Sequence, residues 1–485
     1  MTISGSLSSA MSGLAAASRA ADIVSSNIAN AMTPGYGRRE INLTARQAGS
    51  VGQGVQYSGV QRMANQIVIT DRRSAEANLG NSSARAAFYR KIEGSIGVPD
   101  GSGSLSARIA AFDTAMISAA SRPDSEARLL QIADTGRAVA NHLASASKDI
   151  QTARSRADDQ IGQDVKFINE TLVRVSELNG TIRKVTGGGG DASALMDQRQ
   201  RAIDAISSII PLREIPREQG TVALVTASGG MLLDGAPAVL GFSPVGVISP
   251  EMTLSSGALS GLTLNGRAIP TGNSNSPIDG GSLAANFAVR DDLSVSAQSK
   301  LDAIARDLVS RFQDSAVDPS LTPGSAGMFT DGGAAFDPLN EIGLAGRLTL
   351  NALADPQQGG QLWRLRDGIG AAAPGPASDS TLLSAMQQAL NDQREPASGD
   401  FMTGTKSFAT LVSDYISTVS TQRLSAESET SFSQGKVDSL VMVELSEGVD
   451  TDAELQKLLL IEQAYTANAR VMQIADEMLK TLIGL

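Results

Sequence analysis

The sequence predicts a mainly α protein with a β insert. Its N- and C-terminal helices pair as a coiled coil, its body is an elongated helical bundle, and one stretch forms a small antiparallel β domain. Three patterns predict this. Apolar residues recur every three or four positions at both chain ends, the spacing of one helix face. The same spacing runs unbroken from Val139 through Ile150, Ile161 and Leu172 to Val185, which predicts a helix, or two abutting helices, roughly 90 Å long at ~1.5 Å per residue. A rod of that length suits a coiled coil or an elongated bundle. Third, Thr221-Val222-Ala223-Leu224-Val225-Thr226 and Met231-Leu232-Leu233 flank Ser228-Gly229-Gly230, as two strands flank a turn.

Taken in order, the first helix runs from about Ile3 to Asn30. Thr33-Pro34-Gly35 stops it, because Pro disfavours helix at Thr33 and Gly35 can take a positive φ. Residues 37–61 alternate and carry Gly, which predicts short strands or extended chain. Helical patterning returns from about Arg62 to Ile96, with Gly80 as a break point, and Pro99-Asp100-Gly101 is a turn. A helix over about Leu105–Ala120 precedes the long rod. Gly187–Gly190 end the rod as a flexible hinge; no G-K-[ST] follows, so a phosphate loop is excluded. Asp191 caps a helix over 192–208. Pro211–Asp279 is β-rich, Gly280 opens a helix reaching Phe312, and 317–378 is irregular, with Trp363 anchoring local packing. Helices follow at 379–392 and from Ser407 toward Gly448.

The last helix, Thr451 to Leu485, opens on Thr451 and Glu454 in capping-box spacing and carries two apolar rows. One is Leu460, Ala464, Ala467, Val471, Ile474, Met478, Leu482 and Leu485; the other is Leu458, Ile461, Tyr465, Met472, Ala475 and Leu479, with Asn468 as its polar member. Asp476 and Glu477 stand in helical ion-pair spacing with Lys480. Isolated helices are marginal in water, so so wide a stripe needs a partner. Leu7, Ala10, Leu14, Ala17, Ala21, Val24 and Ile28 offer one, small residues facing large. The alternative is that each helix packs into its own globular domain. Paired termini leave an assembly interface for other subunits, placed on Leu7, Leu14, Ala21, Ile28, Leu460, Ala464, Tyr465, Ala467, Val471, Ile474, Met478 and Leu482.

Composition narrows the function. The 485 residues suffice for about three domains at ~150 residues each. The net charge of −11 and the lack of any basic run argue against nucleic acid. No cysteine is present, which excludes disulfides, thiolate metal sites and thiol catalysis. His142 is the only histidine, so no multi-histidine zinc site can form, and a solvent-edge helix position is expected for it. Aromatics at 4% leave little for a sugar to stack on. Neither an enzyme nor a cofactor is expected. No apolar run reaches the ~18 residues of a membrane span. Only Arg19 and Asp22 are charged before Pro34, in no cleavable-signal pattern. The chain therefore stays in the cytoplasm or leaves by a route that reads no such signal.

Asn27-Ile28-Ala29-Asn30-Ala31-Met32-Thr33-Pro34-Gly35-Tyr36 resembles the N-terminal signature of bacterial flagellar rod, hook and hook-associated proteins. Gln463-Ala464-Tyr465-Thr466-Ala467-Asn468-Ala469-Arg470-Val471, after Glu447-Gly448-Val449-Asp450, resembles the C-terminal core of the same family, although Leu460-Ile461-Glu462 departs from it. Asp197-Gln198-Arg199, and Gly280-Gly281-Ser282-Leu283 with Arg290-Asp291, resemble segments of the hook-associated branch; the polar residues of the first also fit a plain solvated face. The resemblance implies a structural protein at the hook–filament junction, forming an axial ring of copies between hook protein and hook-associated protein 3. It also implies export through the type III channel to the cell exterior, with a cytoplasmic chaperone on the C-terminal helix. Asn27, Asn30, Pro34, Gly35 and Tyr36 become the corner joining coiled coil to body. Alternatives are a hook or distal rod protein, or a secreted coiled-coil adhesin or enzyme. The expected division is 1–36 with 450–485 as assembly domain, 37–208 with 281–316 and 379–449 as helical body, 209–280 as outer β domain, and 317–378 as an irregular segment.

Overall fold

The computed structural model describes residues 3–48, 51–98, 101–272 and 276–483; Pro99 and Asp100 of the expected turn lie outside them. Helix α1 (Ile3–Ala29) stops at the Pro-Gly turn, where Gly35 adopts φ +72°. Strands β1 (Arg38–Ala48) and β2 (Val51–Met63) follow as one antiparallel hairpin, with Arg38 opposite Met63. The hairpin lies along α1. Val55 N–H donates to Ser12 Oγ at 3.1 Å, and the Arg19 guanidinium sits 4.7 Å over the Tyr57 ring.

Helix α2 (Gln66–Ile96) is capped by the Asn65 side chain. It runs straight through Gly80, where a break was expected. A Cβ at this position would lie 2.2 Å from the Ser208 carbonyl oxygen, so glycine serves close packing here and no bend. Helix α3 (Leu105–Ser121) leads to α4 (Glu126–Gly187), one continuous helix of 62 residues, or ~93 Å at 1.5 Å per residue. Helix α5 (Ser193–Asp204) begins beside Asp191, whose carboxylate accepts from Ser193 N–H at 2.8 Å. Strands β3 (Leu212–Pro216), β4 (Val222–Thr226), β5 (Met231–Asp234) and β6 (Ala236–Pro237) form an antiparallel sheet in chain order. A second sheet holds β7 (Leu240–Gly241), β8 (Leu262–Leu264) and β9 (Arg267–Ile269).

A π-helical turn, Val289–Leu293, joins α6 (Gly281–Ala288) to α7 (Ser294–Phe312). The segment beyond contains β10 (Phe329–Asp331) paired with β11 (Leu348–Leu350), and two short helices, α8 (Leu344–Arg347) and α9 (Arg364–Asp367). Helices α10 (Thr381–Asn391), α11 (Phe408–Ser446) and α12 (Thr451–Ile483) complete the chain. α11 lies antiparallel on α2, pinned by Glu93–Arg423 at 2.6 Å, Arg90–Glu427 at 3.0 Å and Arg72–Glu444 at 2.5 Å.

Two apolar cores share α4. Its first half packs with α2, α3, α7, α10 and α11 around the edge-packed rings of Phe112, Phe312 and Phe329. Its second half, Ile161 to Val175, packs against the β sheets, Leu283 and Phe287. Arg290 marks the border, fully buried, bonded to Asp158 at 2.7 Å, to Asp291 at 2.8 Å and to the Ser260 carbonyl at 2.9 Å. His142 is half-buried, between exposed Asn141 and buried Leu143; burial and the nearby Arg108 lower its pKa. No described helix is long and apolar enough to cross a membrane.

Candidate assembly site

The terminal helices pair, and the hairpin backs them, forming an arm. Gly13 faces Asn468 and Asn27 faces Glu454, which sets an antiparallel register. A Cβ at Gly13 would meet the Asn468 carboxamide at 2.7 Å, so the small residue admits the one polar member of its α12 row. Ala10, Ala17, Ala20 and Val24 of α1 are buried, and so is Ala475 of α12.

The two rows of α12 separate in the structure. Leu458, Ile461, Met472 and Leu479 turn inward and are half-buried. The other row faces outward: Leu460 is 64% exposed, Val471 42%, Ile474 51% and Met478 52%, joined by Tyr465 at 50%. Ala464 and Ala467 are exposed with them, while Leu7, Leu14, Ala21 and Ile28 of α1 are half-buried. The side chain of Leu482, and all of Leu485, lie outside the described residues. The cap of α12 also differs from expectation. Asp450, not Thr451, accepts from the backbone, at 3.0 Å from both Asp452 N–H and Ala453 N–H. Glu454 is thereby released from capping and turns inward, almost fully buried, to face α1.

There it meets Asn27. The Asn27 carboxamide, itself fully buried, donates to Glu454 Oε2 at 3.0 Å and to the Arg39 carbonyl at 2.9 Å. Its oxygen accepts from Arg39 N–H at 3.0 Å and from Tyr36 Oη at 2.9 Å. One side chain thus meets both backbone groups of Arg39, as a neighbouring strand does, and reaches the opposite terminus as well. Asn30 does not join this cluster; it returns to the Ser26 carbonyl at 2.9 Å. Pro34 is exposed. Gly35 packs against Arg201 and gives its carbonyl to Arg62 at 3.3 Å.

A second cluster ties this corner to the body. Asp197 of α5, expected either as a family segment or as a solvated face, is buried. Its carboxylate accepts from Gly37 N–H at 3.0 Å, Arg62 Nε at 2.7 Å and Arg39 at 3.1 Å. Arg62 also meets Gln200, which donates to Glu444 at 3.2 Å. Glu444 pairs with Arg72, and Arg72 and Arg73 share Asp204 at 2.9 and 2.6 Å. Burial alone lowers the pKa of Arg72, but Asp204, Glu76 and Glu444 together push it up. Of the residues in these two clusters, the sequence singled out Asn27, Gly35, Tyr36, Asp197 and Glu454. The rest were missed because each partner is remote in the chain. Among the described residues, no group of three His, Asp or Glu is placed to hold a metal ion.

Three family models match the chain: the flagellar hook-associated protein FlgK helical domain over 90–317, the flagella basal body rod protein over 7–36, and the flagellar basal body rod FlgEFG protein C-terminal over 444–485. Flagellar hook-associated protein 1 of Salmonella typhimurium is 29% identical over 236 residues, covering 47% of this chain and 42% of that protein. The Escherichia coli relative is 27% identical over 239 residues, covering 48% and 43%. These alignments span less than half of either relative. The Bacillus subtilis protein of the same name is 22% identical over 99% of this chain and 97% of its own. A solved structure of the flagellar hook junction protein FlgK from Burkholderia pseudomallei is similar over 54% of this chain and 47% of that chain, at 18% identity and TM-score 0.45. Both termini and the helical middle are thus each matched by flagellar models in the expected order, and the chain is similar along its whole length to a flagellar hook-associated protein 1.

Proposed function

We propose that this chain is a structural protein of the bacterial flagellum that forms the junction between hook and filament by self-assembly through its terminal helices. The observation that supports this best is the outward row of α12. α1 covers one face of α12 and leaves Leu460, Val471, Ile474 and Met478 exposed in line. A contiguous apolar face on a soluble molecule marks an interaction surface. The proposed occupants are copies of the same chain in an axial ring, with hook protein on one side and hook-associated protein 3 on the other. Before assembly the same row is the proposed seat of a cytoplasmic export chaperone. The proposed location is the cell exterior, reached without a cleavable signal peptide. The segments 1–36 and 450–485 serve as the assembly domain.

Val471→Asp tests this. Val471 is exposed in the single molecule, so a carboxylate there costs the monomer little, while burying it unpaired at a subunit contact is expensive. The variant is expected to fold with unchanged circular dichroism and to fail to enter flagella in complemented cells, which then shed filament subunits into the medium. Leu14→Asp should block incorporation too, but Leu14 is half-buried, so part of its effect falls on the arm itself. Normal filaments from the Val471→Asp strain would defeat the proposal.

A further inference from the structure

We propose that Arg39 and Asp197 act as a pin that sets the angle between the arm and the body. Arg39 is the one residue held by both clusters. Its backbone is clasped by Asn27 of the arm, at 2.9 and 3.0 Å, and its guanidinium by Asp197 of the body, at 3.1 Å. The grip is directional at each end. The Asn27 carboxamide fixes the plane of the Arg39 peptide groups, and the guanidinium is stacked 5.0 Å over the Tyr36 ring, which limits its swing. Asp197 also takes Gly37 N–H and Arg62 of β2, which hold the base of the hairpin against α5, while Arg39 carries that hold on to Asn27 and the helix pair. At Gly37 a Cβ would lie 2.5 Å from the Arg62 guanidinium, so glycine lets the two approach. A part-buried charge pair of this kind is weak evidence of added stability; what its geometry supplies here is direction. Arg39 and Asp197 are therefore positioning residues. They fix the direction in which the arm presents its apolar row, whatever partner that row meets.

The chain has no cysteine, so a single introduced pair can carry spin labels without background. Thr466→Cys on the solvent side of α12 and Arg183→Cys on the exposed face of α4 place one label on each part. Distances between the labels are measured by pulsed electron paramagnetic resonance on the otherwise intact chain. A narrow distribution is expected in the parent. Asp197→Asn sets an amide against the Arg39 guanidinium, and Arg39→Met leaves Asp197 with Gly37 and Arg62 and cuts only the pin. Each is expected to broaden the distribution at least twofold with helical circular dichroism unchanged. Arg39→Lys, which keeps the charge and loses the planar fork, is expected to fall between. A broad distribution in the parent, or one as narrow in Arg39→Met as in the parent, overturns the proposal. Loss of helical signal in Arg39→Met overturns it as well, since the residue would then hold the fold and not the angle.

Discussion

Asn27 saturates its carboxamide with four hydrogen bonds to three residues, and two of these, Arg39 and Glu454, lie on different elements of the arm. Asn27→Asp keeps the shape and removes both donors, setting a carboxylate against buried Glu454. The arm should loosen in this variant relative to the parent. Hydrogen exchange of the α12 amides measures this, with α4 as the unaffected reference. Asp302 gives a pH signature. It accepts from Gly343 N–H at 2.8 Å and from Ala345 N–H and Gln298 at 2.9 Å, and burial pushes its pKa up to about 6. A raised native pKa means the folded state holds its proton longer than the unfolded chain. Stability should therefore fall as pH climbs from about 4 to about 6, and urea melts of Asp302→Asn should lack that slope. The corner motif was legible in the sequence; its partners were not. Glu454 stands 427 positions from Asn27, and Asp197 stands 160 from Gly37, beyond the reach of any local pattern. Thr451 and Glu454 have capping-box spacing, but Asp450 caps the helix and Glu454 is claimed by a tertiary contact.

At the scale of elements, periodicity located nearly every long helix, because burial of one face is what both the pattern and the fold obey. It could not say which of two adjacent apolar rows faces α1. That choice rests on fit: the row containing Asn468 meets the gap at Gly13, and the other row is turned out. Gly80 shows the opposite limit. A lone glycine within a helical pattern read as a break, yet α2 passes through it intact against the backbone of Ser208. Gly80→Ala should keep the helix and cost about 1–3 kcal/mol by overpacking, measured as a lower urea midpoint. β4 and β5 were legible from their apolar runs, whereas β10 and β11 lie in the stretch expected to be irregular, and β6 and β7 are too short to leave a pattern.

Across the whole molecule, α4 is the common wall of two cores, and the Arg290–Asp158 pair sits where they meet. Asp158 also accepts from Val245 N–H at 2.6 Å. Asp158→Ala removes one of the two carboxylates on a fully buried guanidinium and leaves Val245 N–H unmet, so a loss of about 1–3 kcal/mol is expected. If α4 transmits that loss, the fluorescence of Trp363, the single tryptophan, should shift its unfolding midpoint together with the far-ultraviolet signal. Two separated transitions would show that the cores melt independently. The length of α4 was evident from its seam; its division between two cores was not, because both halves repeat the same apolar spacing.

The antiparallel arm also dictates an order of events in time. α1 is synthesised first and finds its mate only after more than four hundred further residues, since Asn27 and Glu454 are 427 positions apart. Loop closure over that span is entropically slow to reward. α1 therefore stays unmated, its alanine-rich face open, until α12 has been made, and the arm cannot close before then.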